Sequence, residues 1–191
     1  MRGNFHVVLD ACVLVSYTVA DLLLKLAESP HLHSPRWSAR ILDETCKAYA
    51  NRKRNPWPAA RVQSFRAALE QHFPEAMVEG FEELEAALTN DPKDRHVLAA
   101  AIKAKTAAVI TFNLRDFPDA ALAATGVEAV HPSAYLSALY AMDSGLVVSR
   151  LNEMASSVGV APQDVLKRLA KAVPIFAAEV AEALGWELDG E

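Results

Sequence analysis

Two short apolar runs in this chain lead directly into acidic residues, and this arrangement constrains the fold more than any other feature. Phe5–Leu9 is followed by Asp10, and residues 107–112 are followed by Asn113 and Asp116. Short β-branched apolar runs are typical of strands buried in a parallel sheet. Because parallel strands of an open α/β sheet end at one crevice, we expect these polar side chains to meet there.

A predicted helix start supplies a third acid. Asp91 suits the N-cap, Pro92 suits the first helical position, and Asp94 follows as in a capping box. One interpretation is that Asp94 only satisfies the first turn of this helix, and the other is that it also faces the crevice. Glu44 is a fourth candidate, at the edge of the buried face of a helix predicted over 37–51, with a plain surface role as the alternative.

Strands and helices alternate as far as residue 142, which predicts a doubly wound α/β domain. Strands are predicted at 5–9, 31–35, 76–81, 107–112 and 127–130. Beyond that point the pattern is helical only, and glycine and proline divide it into pieces at 147–157, 163–172 and 175–184. We therefore predict an α/β domain over 1–142 and an all-α extension over 143–191.

Bulk properties narrow the class of protein. Hydrophobic residues make up 52% of the chain, which is ample for a sizeable core. No apolar run reaches the roughly 18 residues that span a bilayer, and Met1–His6 lacks a signal-peptide core, so we expect a cytoplasmic protein without a membrane partner. Cys12 and Cys46 lack metal-type spacing and are expected to be reduced core residues.

The charge is unevenly distributed. The net charge of −5 argues against a general nucleic-acid binder, but residues 36–66 hold eight Lys or Arg against two acids. Within this stretch Arg52, Lys53 and Arg54, followed by Trp57, predict a platform for an RNA phosphate and base. The alternative is a rigid linker whose tryptophan packs back on the core.

Together the crevice residues form an oxygen-rich set of Asp10, Glu44, Asp94 and Asp116, with Asn113 close to the last. Acids brought together repel one another unless a cation neutralises them, and hard oxygen ligands suit Mg²⁺ or Mn²⁺. Such an ion activates water and neutralises a scissile phosphate. The chain has no glycine-rich phosphate loop and no nucleophile with a matched base. The residues therefore favour metal-assisted phosphodiester hydrolysis over nucleotide binding or covalent catalysis.

Four segments in this order resemble the acidic motifs of PIN-domain ribonucleases, most closely those of VapC-type toxins of bacterial toxin–antitoxin pairs. The segments are 7–16, 41–44, 91–101 and 111–118, and the resemblance extends over residues 5–135. It implies a three-layer α/β/α sandwich with a five-stranded parallel sheet. It also implies an RNA substrate, a small antitoxin as partner and a homodimer.

The same resemblance implies roles for individual residues. Asp10, Asp94 and Asp116 take the positions of ligands to Mg²⁺ or Mn²⁺, and Glu44 binds the metal directly or through water. Asn113, close to Asp116 in the chain, is a candidate to support the ligands. All four acids count as catalytic in this scheme.

One departure from the family pattern concerns the two residues after the first aspartate. Ala11 and Cys12 stand where a small polar residue and an asparagine are usual, and cysteine cannot reproduce the hydrogen bonds of asparagine. Two alternatives to the toxin hypothesis stay open. One is a PIN-type nuclease of RNA processing without an antitoxin, and the other is a PIN-like binding module with little or no catalysis.

Overall fold

The computed structural model describes residues 5–188. Met1–Asn4, on which part of the signal-peptide prediction was based, lie outside the described residues, as do the outer ends of both predicted parts. Within residues 5–188, no helix is long and apolar enough to cross a membrane. Cys12 and Cys46 are free and partly buried.

A parallel sheet of four strands forms the centre of the described structure. The strands are β1 Phe5–Leu9, β2 His33–Arg36, β3 Ala108–Ile110 and β4 Glu128–Val130, in the spatial order β2-β1-β3-β4. Each neighbouring pair is parallel. The predicted α/β class with a parallel sheet is therefore confirmed, and the three-layer arrangement stays a prediction.

Helices supply the crossovers that parallel strands require. They are α1 Ala11–Val15, α2 Tyr17–Ala27, α3 Ala39–Ala50, α4 Ala59–His72, α5 Glu82–Glu85, α6 Arg95–Lys103, α7 Asp119–Leu122, α8 Pro132–Met142, α9 Ser144–Val158, α10 Pro162–Ala170 and α11 Pro174–Leu184. Single 3₁₀ turns lie at Pro74–Ala76 and Leu114–Asp116. Helix α6 packs against β1 and β3, and α2 packs against β2.

The five-stranded sheet is wrong for the described residues, because the segment predicted as a strand at 76–81 does not become one. The chain there follows a 3₁₀ turn and makes an isolated parallel bridge between Trp37 and Met77. Gly80 then adopts φ 67°, a left-handed conformation that cannot continue a strand. The apolar pattern of this segment instead serves packing, since Val78 and Phe81 are buried.

The C-terminal helices share one hydrophobic core with the sheet. Leu151, Leu166 and Phe176 are fully buried in the same cluster as Val8 and Ile110. Helices α9 and α10 pack on α2, and α11 packs on α8. The predicted extension is therefore helical, and it buries its apolar stripe against the α/β part.

A buried arginine reinforces this contact. Arg150 on α9 is 9% exposed and donates from Nη2 to the carbonyl oxygen of Ser29, just beyond α2, at 3.1 Å. Its Nη1 donates to Glu153 Oε2 at 2.8 Å. Since a buried cation is costly without such partners, these bonds fix α9 against the loop after α2.

Replacing Leu166 by alanine should lower the free energy of unfolding by about 2–5 kcal/mol, because it leaves a cavity in the shared core. Urea unfolding followed by circular dichroism measures this loss, and we expect a single transition. The matched control is Ile175→Ala on α11, a side chain that is 64% exposed, for which we expect a change within about 0.5 kcal/mol. A Leu166→Ala protein as stable as the wild type would contradict a shared core.

Candidate active site

The first acid of the site, Asp10, lies where β1 ends and is 3% exposed. Leu9 is in register with Ile110 of β3, and the backbone N–H of Asp10 donates to the Ile110 carbonyl oxygen at 3.1 Å. The Asp10 carbonyl oxygen accepts from the N–H of Val13 at 3.0 Å as α1 begins. Its carboxylate makes no capping bond to the helix, so that group is available to other partners.

Two side-chain donors hold one carboxylate oxygen of Asp10. The Thr111 hydroxyl donates to Oδ2 at 2.7 Å, and the Cys12 thiol donates to the same oxygen at 3.1 Å. The sulfur also accepts from the backbone N–H of Phe112 at 3.3 Å. Burial, helped by the charge of Asp10, raises the pKa of the Cys12 thiol to about 12, so it keeps its proton. Cys12 thus replaces the asparagine of the family pattern with one donor and one acceptor.

Thr111 is a site residue that the sequence prediction missed. It is fully buried, directly follows β3, and accepts from the backbone N–H of Asn113 at 3.0 Å while donating to Asp10. The available signal was a hydroxyl residue at the carboxyl end of a buried strand.

Asp94 caps α6 through its backbone alone. Its carbonyl oxygen accepts from the N–H of Val97 at 3.1 Å, and its side chain makes no capping bond. The helix begins after Asp94 and not after Asp91, so the predicted capping box is wrong. Asp91 instead shapes the preceding turn, where its Oδ1 accepts from the N–H of Lys93 at 2.9 Å. The interpretation that the Asp94 carboxylate serves only the helix is therefore wrong as well.

The electrostatics of Asp94 link the acids to one another. Burial first, and then the negative charges of Asp10, Asp116, Asp91 and Glu44, raise the pKa of Asp94 to about 6. The structure thus brings all four predicted acids within electrostatic reach, and it adds Asp91 to them. A partly buried carboxyl group whose pKa is raised by burial and by several like charges is typical of a functional site.

The segment after β3 presents Asp116. The backbone N–H of Asp91 donates to the Asp116 carbonyl oxygen at 3.2 Å, which ties the two acidic segments together. Residues 112–116 line an open cavity of about 390 Å³. Asn113 contributes its backbone N–H to this region, whereas its side chain is exposed.

Glu44 projects from the middle of α3 between a buried histidine and an arginine. His96 Nε2 lies 3.1 Å from Glu44 Oε1, and Arg40 Nε lies 3.8 Å from the same oxygen. Burial raises the pKa of Glu44, with Arg40 opposing the shift and Asp10 adding to it. Burial and the charge of Arg40 lower the pKa of His96 to about 4, so its imidazole is neutral near pH 7.

The basic loop after α3 contains one anchored arginine. Arg52 Nη2 donates to the carbonyl oxygen of Val15, the last residue of α1, at 2.6 Å. Its guanidinium lies 4.2 Å from the centre of the Tyr49 ring. Lys53 and Arg54 are exposed. The three cations predicted to act together therefore differ, because Arg52 has a structural role that the other two lack.

Trp57 is covered on both faces. Its ring stacks on Tyr49 at 3.9 Å between centroids, and the Arg61 guanidinium lies 4.0 Å from the Trp57 ring centre. The tryptophan thus packs back on the buried Tyr49 ring, as the alternative predicted, and its role as a platform for a base stays a prediction.

The chemistry of the acidic donor set fits a hard divalent cation. Carboxylate oxygens are the ligands that Mg²⁺ and Mn²⁺ prefer, and such an ion would relieve the repulsion felt by Asp94. As the side chains stand, no group of three or more His, Cys, Asp or Glu within residues 5–188 is arranged to hold a metal. The acids are thus near one another without forming a closed coordination shell.

Comparison with known proteins agrees with this geometry. A model of the PIN domain family matches residues 6–115, more than half of the 191-residue chain. The chain belongs to the PIN domain family. It is similar to a protein of Mycobacterium tuberculosis (strain ATCC 25618 / H37Rv) described as "Putative ribonuclease VapC50", with 36% identity over 103 residues, 52% of this chain and 61% of that protein. The chain thus spans about three fifths of that relative's length. No solved structure matches it.

The raised pKa of Asp94 predicts how stability depends on pH. Because the folded-state pKa of about 6 lies above the ordinary 3.8, the folded protein binds this proton more tightly than the unfolded chain. The resulting stabilisation is present below pH 4 and is lost as the pH rises through 6. Asp94→Asn should therefore stabilise the metal-free protein at pH 7 by about 1 kcal/mol, a value reduced because the carboxyl group is partly exposed.

Urea titrations in EDTA at pH 4.5 and pH 7 measure this effect as a difference between the variant and the wild type. The control is Glu179→Gln, at an exposed position on α11, which should leave the difference between the two pH values unchanged. An Asp94→Asn protein with the wild-type pH dependence would contradict the electrostatic coupling of the acids.

Proposed function

We propose that this protein is a divalent-metal-dependent endoribonuclease and the toxin of a VapBC-type toxin–antitoxin pair. The observation that carries the proposal is the convergence of the acids that follow β1 and β3 with the acids at the start of α6 and on α3. Asp10 follows β1, the Asp91 N–H donates to the Asp116 carbonyl oxygen, and these acids and burial together raise the pKa of Asp94 to about 6. The family membership and the name of the M. tuberculosis relative support hydrolysis of RNA.

In this proposal Asp10, Asp94 and Asp116 hold Mg²⁺ or Mn²⁺, and Glu44 completes the shell directly or through water. A bound ion of this kind supplies positive charge for the scissile phosphate and lowers the pKa of a water molecule. Thr111 and Cys12 hold Asp10 through its Oδ2. Both of these bonds are made to Oδ2, so we assign Oδ1 as the oxygen that would bind the metal.

Asp94 and Glu44 contribute negative charge to the proposed site and have side chains that are able to move. Asp94 and Glu44 are only partly buried, so their side chains have room to turn toward a ligand. With its pKa near 6, the Asp94 carboxyl group holds a proton in part of the molecules at neutral pH, and it would lose that proton to solvent if a cation were bound beside it. Asn113, exposed in the segment that also presents Asp116, is proposed to support the ligands.

The proposed RNA contacts are the exposed cations Lys53 and Arg54. Arg52 anchors their loop to the end of α1, and α1 starts directly after Asp10. A five-residue helix rises only about 7.5 Å, so the loop lies within a few nucleotides' reach of the acids. We include Arg52 as the residue that holds the loop, while Lys53 and Arg54 neutralise phosphates.

The proposed antitoxin is a small protein that inserts a segment across the acidic crevice. Five acids at one place favour an arginine in that segment, because guanidinium–carboxylate pairs are bidentate and strong. A homodimer and a cytoplasmic location remain predictions from the sequence.

Neutralising Lys53 and Arg54 together by alanine should weaken RNA binding and reduce its salt dependence by about one unit of slope for each phosphate that the variant no longer neutralises. Fluorescence anisotropy with a labelled RNA between 50 and 300 mM salt (roughly the range over which such slopes are read) measures this. Asp119→Asn, an exposed acid of α7, controls for a change of charge elsewhere. Equal slopes for the wild type and the double variant would exclude this loop from RNA binding.

Purified protein should cleave RNA with Mg²⁺ or Mn²⁺ and not with EDTA. Asp10→Ala and Asp94→Ala should each lower the cleavage rate by about 100-fold or more, since each removes a charge from a site where charge stabilises the transition state. A panel of tRNA and rRNA resolved on denaturing gels measures this, with Asp119→Asn as the matched acidic control. If both alanine variants cleaved RNA as fast as the wild type, the proposed site would be wrong.

The same variants test the toxin role in cells. Expression of the wild type without a partner should arrest bacterial growth, whereas Asp10→Ala and Asp94→Ala should not. Co-expression of the cognate small partner should restore growth. If the wild type were harmless at confirmed expression and still cleaved isolated RNA, the RNA-processing alternative would replace the toxin function.

A further inference from the structure

A fully buried histidine lies beside Glu44, the acid of the site that projects from α3. His96 is in the first turn of α6, two residues after Asp94, and is 0% exposed. Its Nε2 lies 3.1 Å from Glu44 Oε1 on α3. The two residues are 52 positions apart in the chain, so this contact exists only in the folded protein.

The hydrogen bonding of this imidazole is incomplete. Within residues 5–188 neither ring nitrogen of His96 has a partner of regular hydrogen-bond geometry, and the 3.1 Å contact with Glu44 is short in distance only. Buried polar groups in native proteins are almost always hydrogen-bonded. The Glu44 carboxylate is the acceptor already at hydrogen-bond distance from the ring, so a small rotation of Glu44 completes the bond.

The two sides of this contact differ in freedom. His96 is fully buried, as are the residues that follow it on α6 from Val97 to Ala101, and close packing leaves such a ring in one orientation. The Glu44 side chain is 40% exposed and is able to turn. The fixed ring therefore determines where the carboxylate settles.

Arg40, which also approaches Glu44 Oε1, cannot fix the position of this carboxylate. Arg40 approaches Glu44 Oε1 only to 3.8 Å, is 48% exposed, and donates to Glu85 Oε2 at 3.3 Å. An exposed ion pair shared between two acids is weak and mobile. The contact with His96 is shorter, and its histidine end is fully buried.

We propose that His96 is a positioning residue whose Nε2–H donates to Glu44 Oε1 and holds this carboxylate beside Asp10 and Asp94. The proposal rests on the proposed ribonuclease function for its kinetic consequence, whereas the hydrogen bond itself does not. Since His96 and Asp94 belong to the same helix start, the bond sets the positions of Glu44 and Asp94 together. Both the neutral ring protonated on Nε2 and the charged ring donate in this way.

The kinetic test is a double-mutant cycle with purified full-length protein and the RNA that the wild type cleaves. His96→Leu, which keeps an apolar side chain and removes the donor, should lower kcat by about 10- to 100-fold with little change in KM. His96→Gln retains a side-chain N–H and should recover most of this loss. In the Glu44→Ala background, His96→Leu should change kcat by less than about twofold, because the acceptor is already gone.

An equal loss from His96→Leu in both backgrounds, without recovery by His96→Gln, would make His96 a packing residue and overturn the proposal. If the leucine variant failed to fold, the comparison of His96→Gln with the wild type in both backgrounds would decide the same question. Loss of function in His96→Gln as large as in Glu44→Ala would also count against it.

A second readout needs no activity. Nitrogen-15 NMR of the imidazole should find the Nε2–H tautomer of His96 in the wild type, with a proton protected from exchange, and Glu44→Ala should abolish that protection. The Nδ1–H tautomer in the wild type, or a signal that is the same in Glu44→Ala, would overturn the hydrogen bond. A wild type that cleaves no RNA but gives this NMR result would refute the proposed function and leave the Glu44–His96 bond standing.

Discussion

The hydrogen bond between Thr111 and Asp10 depends on the register of two neighbouring strands, and the rest of the site depends on that register. Leu9 stands opposite Ile110, so the residues that follow each strand emerge side by side at the carboxyl edge of the sheet. A slip of one residue would turn every side chain of the strand to the other face. The acids on α3 and α6 meet Asp10 only because the two short central strands are fixed in this way.

Around this bond the structure gathers negative charge that it does not neutralise. Burial and four other acids raise the pKa of Asp94. Arg40 is divided between Glu44 and Glu85, and Arg52 is bound to the end of α1. Burial in one large core, to which the C-terminal helices contribute, offsets the free-energy cost of this repulsion. Sites that carry such tension commonly serve function at the expense of stability.

Local sequence patterns correctly predicted those elements whose formation depends on residues close together in the chain. The strand at 5–9, the helix predicted over 37–51 and the acids at strand ends all follow from periodicity and from the geometry of parallel sheets. The segment at 76–81 failed because its apolar residues pack without pairing, a distinction that periodicity does not contain. The anchoring of Arg52 and the approach of His96 to Glu44 were also out of reach. Each joins residues tens of positions apart, and their encounter is decided by tertiary packing.

The region matched by the family model is shorter than the unit that folds. The match ends at residue 115, one position before Asp116 and well before β4, whose Ala129 pairs with Val109 of β3. A fragment trimmed to the matched residues would leave β3 as an open edge with unpaired backbone groups. Such edges recruit strands from other molecules and promote aggregation. The same cut would also expose the face of α2 against which α9 and α10 pack. The segment that the family model matches is therefore shorter than a fragment that would fold by itself.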